Sequence, residues 1–308
     1  MLKIMICVNP NKDKELTNTK KLLDYFRKFN VKVIMSDIFK RPYFDNPPLS
    51  DTLLSGYEIE FMPEYAAFKK ADVCIVFGGD GTILKIAKKA SQSGAYIIGM
   101  NMGRIGYLAE LEIGELSLLD PVLNAGSAED IENIENVFVD RRMMLKCEII
   151  RGAGTVFSSL ALNEVVISKG AVSRMAGLRL KCDDKNITTY RADGIVISTP
   201  TGSTAYCMSA GGPIIDPGLD CICAVPVCPY MCLNSGAVIF SGSSVIEVEF
   251  KADKINEAFC TVDGKSTKSI YDGDIVRITK APIETKLLRL KDTDFYTRLN
   301  EKMNLANN

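Results

Sequence analysis

The apolar residues of this 308-residue chain change rhythm near residue 137, and that change calls for two differently built parts. Before it, β-type runs alternate with stretches of helical periodicity. Lys3 to Val8 is followed by Asp13 to Phe29, whose Leu16, Leu22, Leu23, Phe26 and Phe29 share one face. Val31 to Met35, Asp72 to Phe77, a helix over Thr82 to Ser91, and Ala95 to Met100 come next. Strands separated by helices pair in parallel through crossover connections, so an α/β domain with a parallel sheet is expected over residues 1–137. After it, β-type runs follow closely at Leu145 to Ile150, Val156 to Leu162, Val165 to Ile167, Leu178 to Cys182, Ile195 to Ser198, Val238 to Phe240, Val245 to Phe250, Phe259 to Val262 and Ile275 to Ile278. Without long amphipathic helices between them, an all-β sandwich domain is expected over 138–279. The polar, helix-like tail, 280–308, is expected to pack back on the first domain. Residues 37–66, with Pro42, Pro47, Pro48, Pro63 and the turn Ser55-Gly56, read as irregular, either a lid, an insertion or a surface loop.

Histidine is absent, which excludes a Ser-His-Asp triad, a Cys-His dyad, an HExxH zinc site and a histidine general base. Lys and Arg number 37 against 38 Asp and Glu, a balance that argues against a broad nucleic-acid-binding surface. Met1 to Val8 reads as a strand rather than a leader. The longest run free of both charge and strong polarity, Cys221 to Leu233, is too short to span a membrane and contains Pro226 and Pro229. Ten cysteines in a chain of this length are no disulfide scaffold. Cys221, Cys223, Cys228 and Cys232 lack the paired CxxC spacing of common zinc sites, so reduced core thiols, no zinc and a cytoplasmic location are expected.

Two stretches carry candidate chemistry. The strand ending at Phe77 runs into Gly78-Gly79-Asp80-Gly81-Thr82 and then a helix. Glycines let backbone N–H groups reach a phosphate, and the helix N-terminus adds positive partial charge. The same turn can also be merely tight and structural. It is neither a Walker loop nor G-x-G-x-x-G. A carboxylate here opposes an anion, so Asp80 reads as a proton acceptor, a Mg²⁺ organiser, or a plain helix cap. The second stretch is Arg191 to Tyr206, in which six hydroxyl side chains fall within the nine residues 198–206. Hydroxyls donate and accept, which suits ribose and phosphate oxygens, or an ordinary loop. Asn163-Glu164, set between apolar strands, needs a partner or a ligand, and Asp263-Gly264 reads first as a hairpin turn.

Together Gly78 to Thr82, Asn101-Met102-Gly103-Arg104-Ile105-Gly106-Tyr107-Leu108, Asn163-Glu164, Arg191 to Tyr206 and Val262-Asp263-Gly264 resemble the NAD kinase family in order and spacing. The glycine loop alone is shared with diacylglycerol and sphingosine kinases. Asp193 to Tyr206 joined to Asn163-Glu164 favours the NAD kinases. The resemblance implies an α/β domain followed by a β-sandwich, Mg²⁺ with ATP as phosphoryl donor, NAD⁺ as acceptor, and a homo-oligomer. It places Asp80 beside the 2′-hydroxyl of the adenosine ribose as base or metal organiser. Gly78, Gly79, Gly81 and Thr82 would meet phosphates, and Tyr107 the adenine. Asn163, Glu164, Arg191, Asp193, Thr201, Ser203, Thr204, Ala205 and Tyr206 would hold the dinucleotide, with Gly81 adjoining it. The family's Pro-His-x-Leu-x-x-Arg-Pro stretch is replaced by Pro229-Tyr230-Met231-Cys232-Leu233-Asn234-Ser235-Gly236, without its histidine and arginine, and Tyr107 stands where phenylalanine is usual. The rival expectations are a lipid kinase, for which no basic amphipathic helix is found, and a non-catalytic dinucleotide sensor, to which Asp80 would be of no use.

Overall fold

The computed structural model describes residues 1–9, 12–41, 48–103, 106–170, 175–230, 236–251 and 258–306. Pro42, Pro47, Arg104, Ile105 and 231–235, Cys232 among them, lie outside the described residues. The chain forms two compact units, Met1–Arg141 with Thr285–Asn308, and Arg142–Glu284.

The first unit contains β1 (Leu2–Cys7), α1 (Thr17–Phe26), β2 (Val31–Ser36), the short α2 (Leu49–Thr52), β3 (Ile59–Met62), α3 (Glu64–Lys70), β4 (Val73–Phe77), α4 (Asp80–Ser93), β5 (Tyr96–Met100) and the short α5 (Asp120–Leu123). Its strands run in the order β5-β4-β1-β2-β3, all pairs parallel, with Met5 opposite Cys74 and Phe77 opposite Met100. Every residue of β4 and β5 is buried, as in a sheet covered on both faces, which explains their unbroken apolar runs. α4 turns Ile83, Ile86, Ala87 and Ala90 inward and stops at Gly94, whose φ of 78° is the left-handed cap that glycine adopts without penalty.

The described residues of 37–66, which are 37–41 and 48–66, are more regular than the sequence suggested. They hold a 3₁₀ turn at Asp37–Lys40, α2 and β3. β3 escapes notice because it is a half-buried edge strand of four residues. The expected helix over Asp13 to Phe29 is also shorter. Glu15 and Leu16 take left-handed conformations, and α1 starts at Thr17, where the buried Asp13 carboxylate accepts the N–H groups of Asn18 and Thr19.

The second unit takes up its share of β6 (Phe138–Arg151), then β7 (Gly154–Ala161), β8 (Glu164–Lys169), β9 (Ala176–Cys182), β10 (Lys185–Ala192), β11 (Gly194–Ser198), α6 (Tyr206–Ser209), β12 (Cys221–Val227), β13 (Val238–Ser241), β14 (Ile246–Lys251), β15 (Ala258–Val262), β16 (Ser266–Ile270) and the first part of β17 (Ile275–Arg289). One antiparallel sheet runs β10-β9-β14-β17, with β6 beside β17 and β7 beside β6. The other runs β13-β12-β11-β8-β15-β16. Leu145, Leu178, Leu180, Val248 and Phe250 of the first share one core with Val165, Ile167, Ile195, Ile197 and Cys260 of the second, so the unit is a β-sandwich. β10 and β16 were not legible, because each is an edge strand with mostly polar, exposed residues.

The last residues of β17 belong to the first unit, where Lys286 and Leu287 pair in parallel with Tyr96 and Ile97 of β5. α7 (Phe295–Ala306) follows in that unit. No helix among the described residues is long and apolar enough to cross a membrane.

Candidate functional site

In the first unit the glycine loop divides its labour. Gly78 is buried, and a Cβ there would lie 2.3 Å from the Thr82 hydroxyl oxygen, so this glycine lets the strand end lie against the start of α4. Gly79 and Gly81 have nothing within 4 Å of the position a Cβ would take. Open space beside two glycines at a helix N-terminus admits a phosphate.

Asp80 is the first residue of α4, but its side chain caps nothing; the cap is Gly79, with no side-chain hydrogen bond. The capping role considered from sequence is therefore replaced by another. The Asp80 carboxylate accepts the N–H of Tyr107 at 2.8 Å on Oδ2, and on Oδ1 those of Leu108 at 2.9 Å and Ala109 at 3.3 Å. Lys302 Nζ of α7 lies 3.3 Å from Oδ2. Burial alone would discourage ionisation, yet the donors of Tyr107 and Leu108, the Lys302 charge and the Ala109 donor outweigh it. Together they hold the carboxyl below the ordinary aspartate range. Gly106 makes the nest possible, since a Cβ there would sit 2.2 Å from Asp80 Oδ1.

A buried ion network braces the turn from behind. Arg289, 5% exposed, donates to the carbonyls of Leu108 at 2.9 Å and Tyr107 at 3.1 Å, to Asp140 at 3.0 Å and to Glu110 at 3.3 Å. Glu110 also accepts the N–H groups of Leu290 at 2.8 Å and Lys291 at 2.6 Å, and Arg298 of α7 stands 3.8 Å from it. The Tyr107 ring carries Lys302 Nζ 3.8 Å from its centre and Phe295 at 6.2 Å. Lys302, Arg289 and Glu110 were not among the candidate residues. The only sequence signal for Lys302 and Arg289 was their charge in a polar, helix-like tail, and Glu110 lies just beyond the Asn101 to Leu108 stretch.

In the second unit Asn163 precedes Glu164, the first residue of β8, and Asp263 and Gly264, at φ 48° and 66°, are left-handed residues of the three-residue β15–β16 turn that ends at Lys265. The turn reading holds, with an addition. The Asp263 carboxylate accepts the N–H groups of Leu162 at 2.8 Å, Asn163 at 2.9 Å and Glu164 at 3.1 Å. Glu164 is only 6% exposed, and its Oε2 has no hydrogen-bond partner. Burial first, then the charge of Asp263, then Cys207, push its carboxyl up to about 7, against a hydrogen bond from the Tyr206 backbone.

The hydroxyl-rich stretch folds largely on itself. Thr199 donates to the Leu162 carbonyl at 2.6 Å and accepts from the Gly202 N–H at 3.0 Å. Ser203 accepts the Ile215 N–H at 3.0 Å and donates to the Ile215 carbonyl at 3.3 Å, while Thr201 accepts from Arg142 at 3.2 Å. Gly202 lies so close to β8 that a Cβ would meet the Asn163 carbonyl at 2.2 Å. Half-buried Thr204 and Ala205 and exposed Tyr206 remain towards the surface beside Asn163-Glu164.

Arg191 and Asp193 are not brought to this cluster. Ser198 pairs with Glu164 at one end of β11, whereas Gly194 pairs with Ser168 at the other, about 13 Å along the strand. Asp193, just before Gly194, is paired with Lys169 at 2.6 Å, and Arg191 is exposed on β10.

Cys221 and Cys223 are buried in β12, with Cys207 Sγ 4.0 Å from that of Cys223, while Cys228 is exposed. No group of three or more metal-ligating side chains occurs among the described residues. Elemental analysis should find less than one zinc per chain, and chelators should leave the melting temperature unmoved. Stoichiometric zinc would contradict the thiol assignment.

Residues 4–126 match the ATP-NAD kinase N-terminal domain, and 162–290 the ATP-NAD kinase C-terminal domain. The NAD kinase of Acetivibrio thermocellus is 35% identical over 98% of this chain and 97% of its own length. That of Caldanaerobacter subterraneus subsp. tengcongensis is 33% identical over 98% and 99%. In fold, the chain is similar to yeast NADH kinase solved with NADH, at a TM-score of 0.82, 20% identity and 99% and 88% coverage. It is similar also to an NAD kinase from Archaeoglobus fulgidus solved with ATP, at 0.69, 23%, 98% and 98%. With both family domains matched in order and relatives a third identical along nearly the whole length, the chain belongs to the NAD kinase family.

Proposed function

We propose that the enzyme transfers the γ-phosphoryl of Mg-bound ATP to the 2′-hydroxyl of the adenosine ribose of NAD⁺, giving NADP⁺. The observation that carries this reading is the Asp80 nest, an ionised carboxylate held by three N–H groups in a glycine loop open at Gly79 and Gly81. Phosphoryl transfer passes through a loose transition state, so positioning and charge neutralisation count for more than a strong base. Asp80, kept below the ordinary aspartate range, accepts a hydrogen bond from the 2′-hydroxyl throughout the neutral range and takes its proton late. Gly79, Gly81 and Thr82 approach the phosphates, and Tyr107 offers a ring to the adenine.

Asn163, Glu164, Thr204, Ala205 and Tyr206 hold the dinucleotide. Thr201 and Ser203 shape the turn that presents them, and Arg191 and Asp193 serve it from the far end of β11. Mg²⁺ suits arrival on the nucleotide, since it keeps waters and phosphate oxygens as ligands, and Asp80 is a lone carboxylate whose oxygens are already engaged. The reading includes a homo-oligomer in the cytoplasm, where free thiols such as those of the nine described cysteines persist.

Incubation with Mg·ATP and NAD⁺, coupled to an NADP-specific dehydrogenase, should give steady turnover. Diacylglycerol in mixed micelles should accept no phosphate. Turnover with the lipid alone would favour the lipid kinases, and none with either would favour a sensor.

Glu164 supplies a prediction with two readouts. Its folded value of about 7 lies above that of an unfolded carboxylate. The folded chain therefore holds the proton more tightly, and stability is lost as pH rises from about 4.5 through 7. Glu164→Gln removes that loss, so the ligand-free variant should be more stable than wild type by about 3 kcal/mol at pH 8 and nearly equal to it near pH 4.5. Its KM for NAD⁺ should rise by about 10-fold, because the amide cannot replace a charged acceptor. Urea denaturation at the two pH values and initial rates check both. A variant whose stability tracks wild type across this range, or one with unchanged KM and collapsed kcat, would refute the assignment.

A further inference from the structure

A carboxylate has about four lone-pair positions. Three of those on Asp80 are taken by N–H groups of one turn, which Arg289 pins from behind through the Tyr107 and Leu108 carbonyls. These donors leave only if the turn unfolds. The fourth position, on Oδ2, is held by Lys302 Nζ at 3.3 Å, which rotation about side-chain bonds can withdraw. The Lys302 side chain is 28% exposed, and its ammonium rests over the Tyr107 ring, which steadies a cation without binding it tightly. α7 is set against the turn by Phe295 on Tyr107 and Arg298 near Glu110, so the position of Lys302 is built in. A movable cation thus stands against the first residue of α4, in the loop where Gly79 and Gly81 leave open space.

We propose that Lys302 is the exchangeable counter-ion of Asp80. In the nucleotide-free enzyme it neutralises the carboxylate. When a triphosphate enters the glycine loop, the ammonium moves onto the terminal phosphate and leaves the fourth position of Asp80 to the acceptor hydroxyl. This accounts for a carboxylate in an anion-binding loop. Its charge is masked while the anion binds and exposed when the hydroxyl needs an acceptor. Lysine suits the exchange better than arginine, being a compact charge on a flexible stem with three donors. The inference rests on the phosphoryl-transfer reading above.

The test compares the full chain with Lys302→Met, which keeps an aliphatic stem over Tyr107, and Lys302→Arg, which keeps the charge. Rates are measured against ATP and NAD⁺ separately, and Mg·ATP and NAD⁺ binding by calorimetry. K302M should raise the Kd and KM for ATP by about 10-fold and lower kcat by about 10-fold, with the Kd for NAD⁺ changed less than about 3-fold. Its melting temperature should stay close to wild type, since a part-exposed ion pair contributes little. K302R should recover most of the ATP affinity. Unchanged ATP constants in K302M, tighter ATP binding with normal kcat, or an equal loss for both substrates with a lowered melting temperature would each overturn the proposal. A wild-type enzyme that forms no NADP⁺ would instead overturn the phosphoryl-transfer reading, whatever Lys302 does.

Discussion

Replacing Asp80 with asparagine should lower kcat by roughly 10²- to 10⁴-fold, about 3 to 5 kcal/mol, while NAD⁺ binding changes by less than about 10-fold. The amide keeps the size of the side chain but neither its charge nor its capacity to take a proton. In the nest it also places an NH₂ group where an oxygen now meets donors. If the amide oxygen takes the Oδ1 place beside Leu108 and Ala109, the nitrogen faces the Tyr107 N–H and Lys302. The variant should therefore also lose on the order of 1 to 3 kcal/mol of stability. Asparagine's merit as a helix cap does not offset this, because Asp80 is not a cap. Single-turnover rates with Mg·ATP and calorimetry with NAD⁺ separate the two effects. A kcat above about a tenth of wild type would remove Asp80 from the mechanism.

Arg289→Met should be the most destabilising change in the first unit. Methionine fills much of the volume but takes from the Glu110 side chain, itself only 4% exposed, its nearer buried cation, and removes the bonds that Arg289 gives two turn carbonyls and Asp140. Removing one partner of a buried ion pair costs about 3 to 5 kcal/mol, since the remaining charge stays desolvated. For a unit of this size that is a fall of roughly 10 °C in melting temperature. Adding Glu110→Gln should restore part of the loss, because it removes a buried charge that has lost its nearer cation. Thermal unfolding of both single variants and the double variant gives the coupling directly. A loss below about 1 kcal/mol, or strictly additive effects, would show that the network is ornamental.

What could be read in the sequence followed from local periodicity. β4, its glycine turn and α4 form one contiguous stretch, so their order and the parallel sheet were visible, and Asp80 stood out as a charge in the wrong place. The partners that define its chemistry were hidden by distance along the chain. Tyr107 to Ala109 lie 27 to 29 residues away and Lys302 lies 222. No spacing rule joins such groups.

The hydroxyl-rich stretch was noticed for its residue types, and the structure adds a packing role for some of them that the sequence did not show. Where β11 ends inside the sandwich, backbone groups need partners, and Thr199 and Ser203 supply them. Arg191 and Asp193 show the limit of reading a motif as a unit. Thirteen consecutive residues from Asp193 to Ala205 include a whole strand, which carries the two ends apart.

The central claim is that phosphate moves from ATP to one hydroxyl of NAD⁺. Phosphorus NMR and mass spectrometry of the product formed from Mg·ATP and NAD⁺ test it most directly. One ADP per modified dinucleotide, with a single new monoester resonance assigned to the 2′-position of the adenosine ribose, is the predicted result. Phosphate on any other hydroxyl, or ADP released while NAD⁺ stays unmodified, would contradict it.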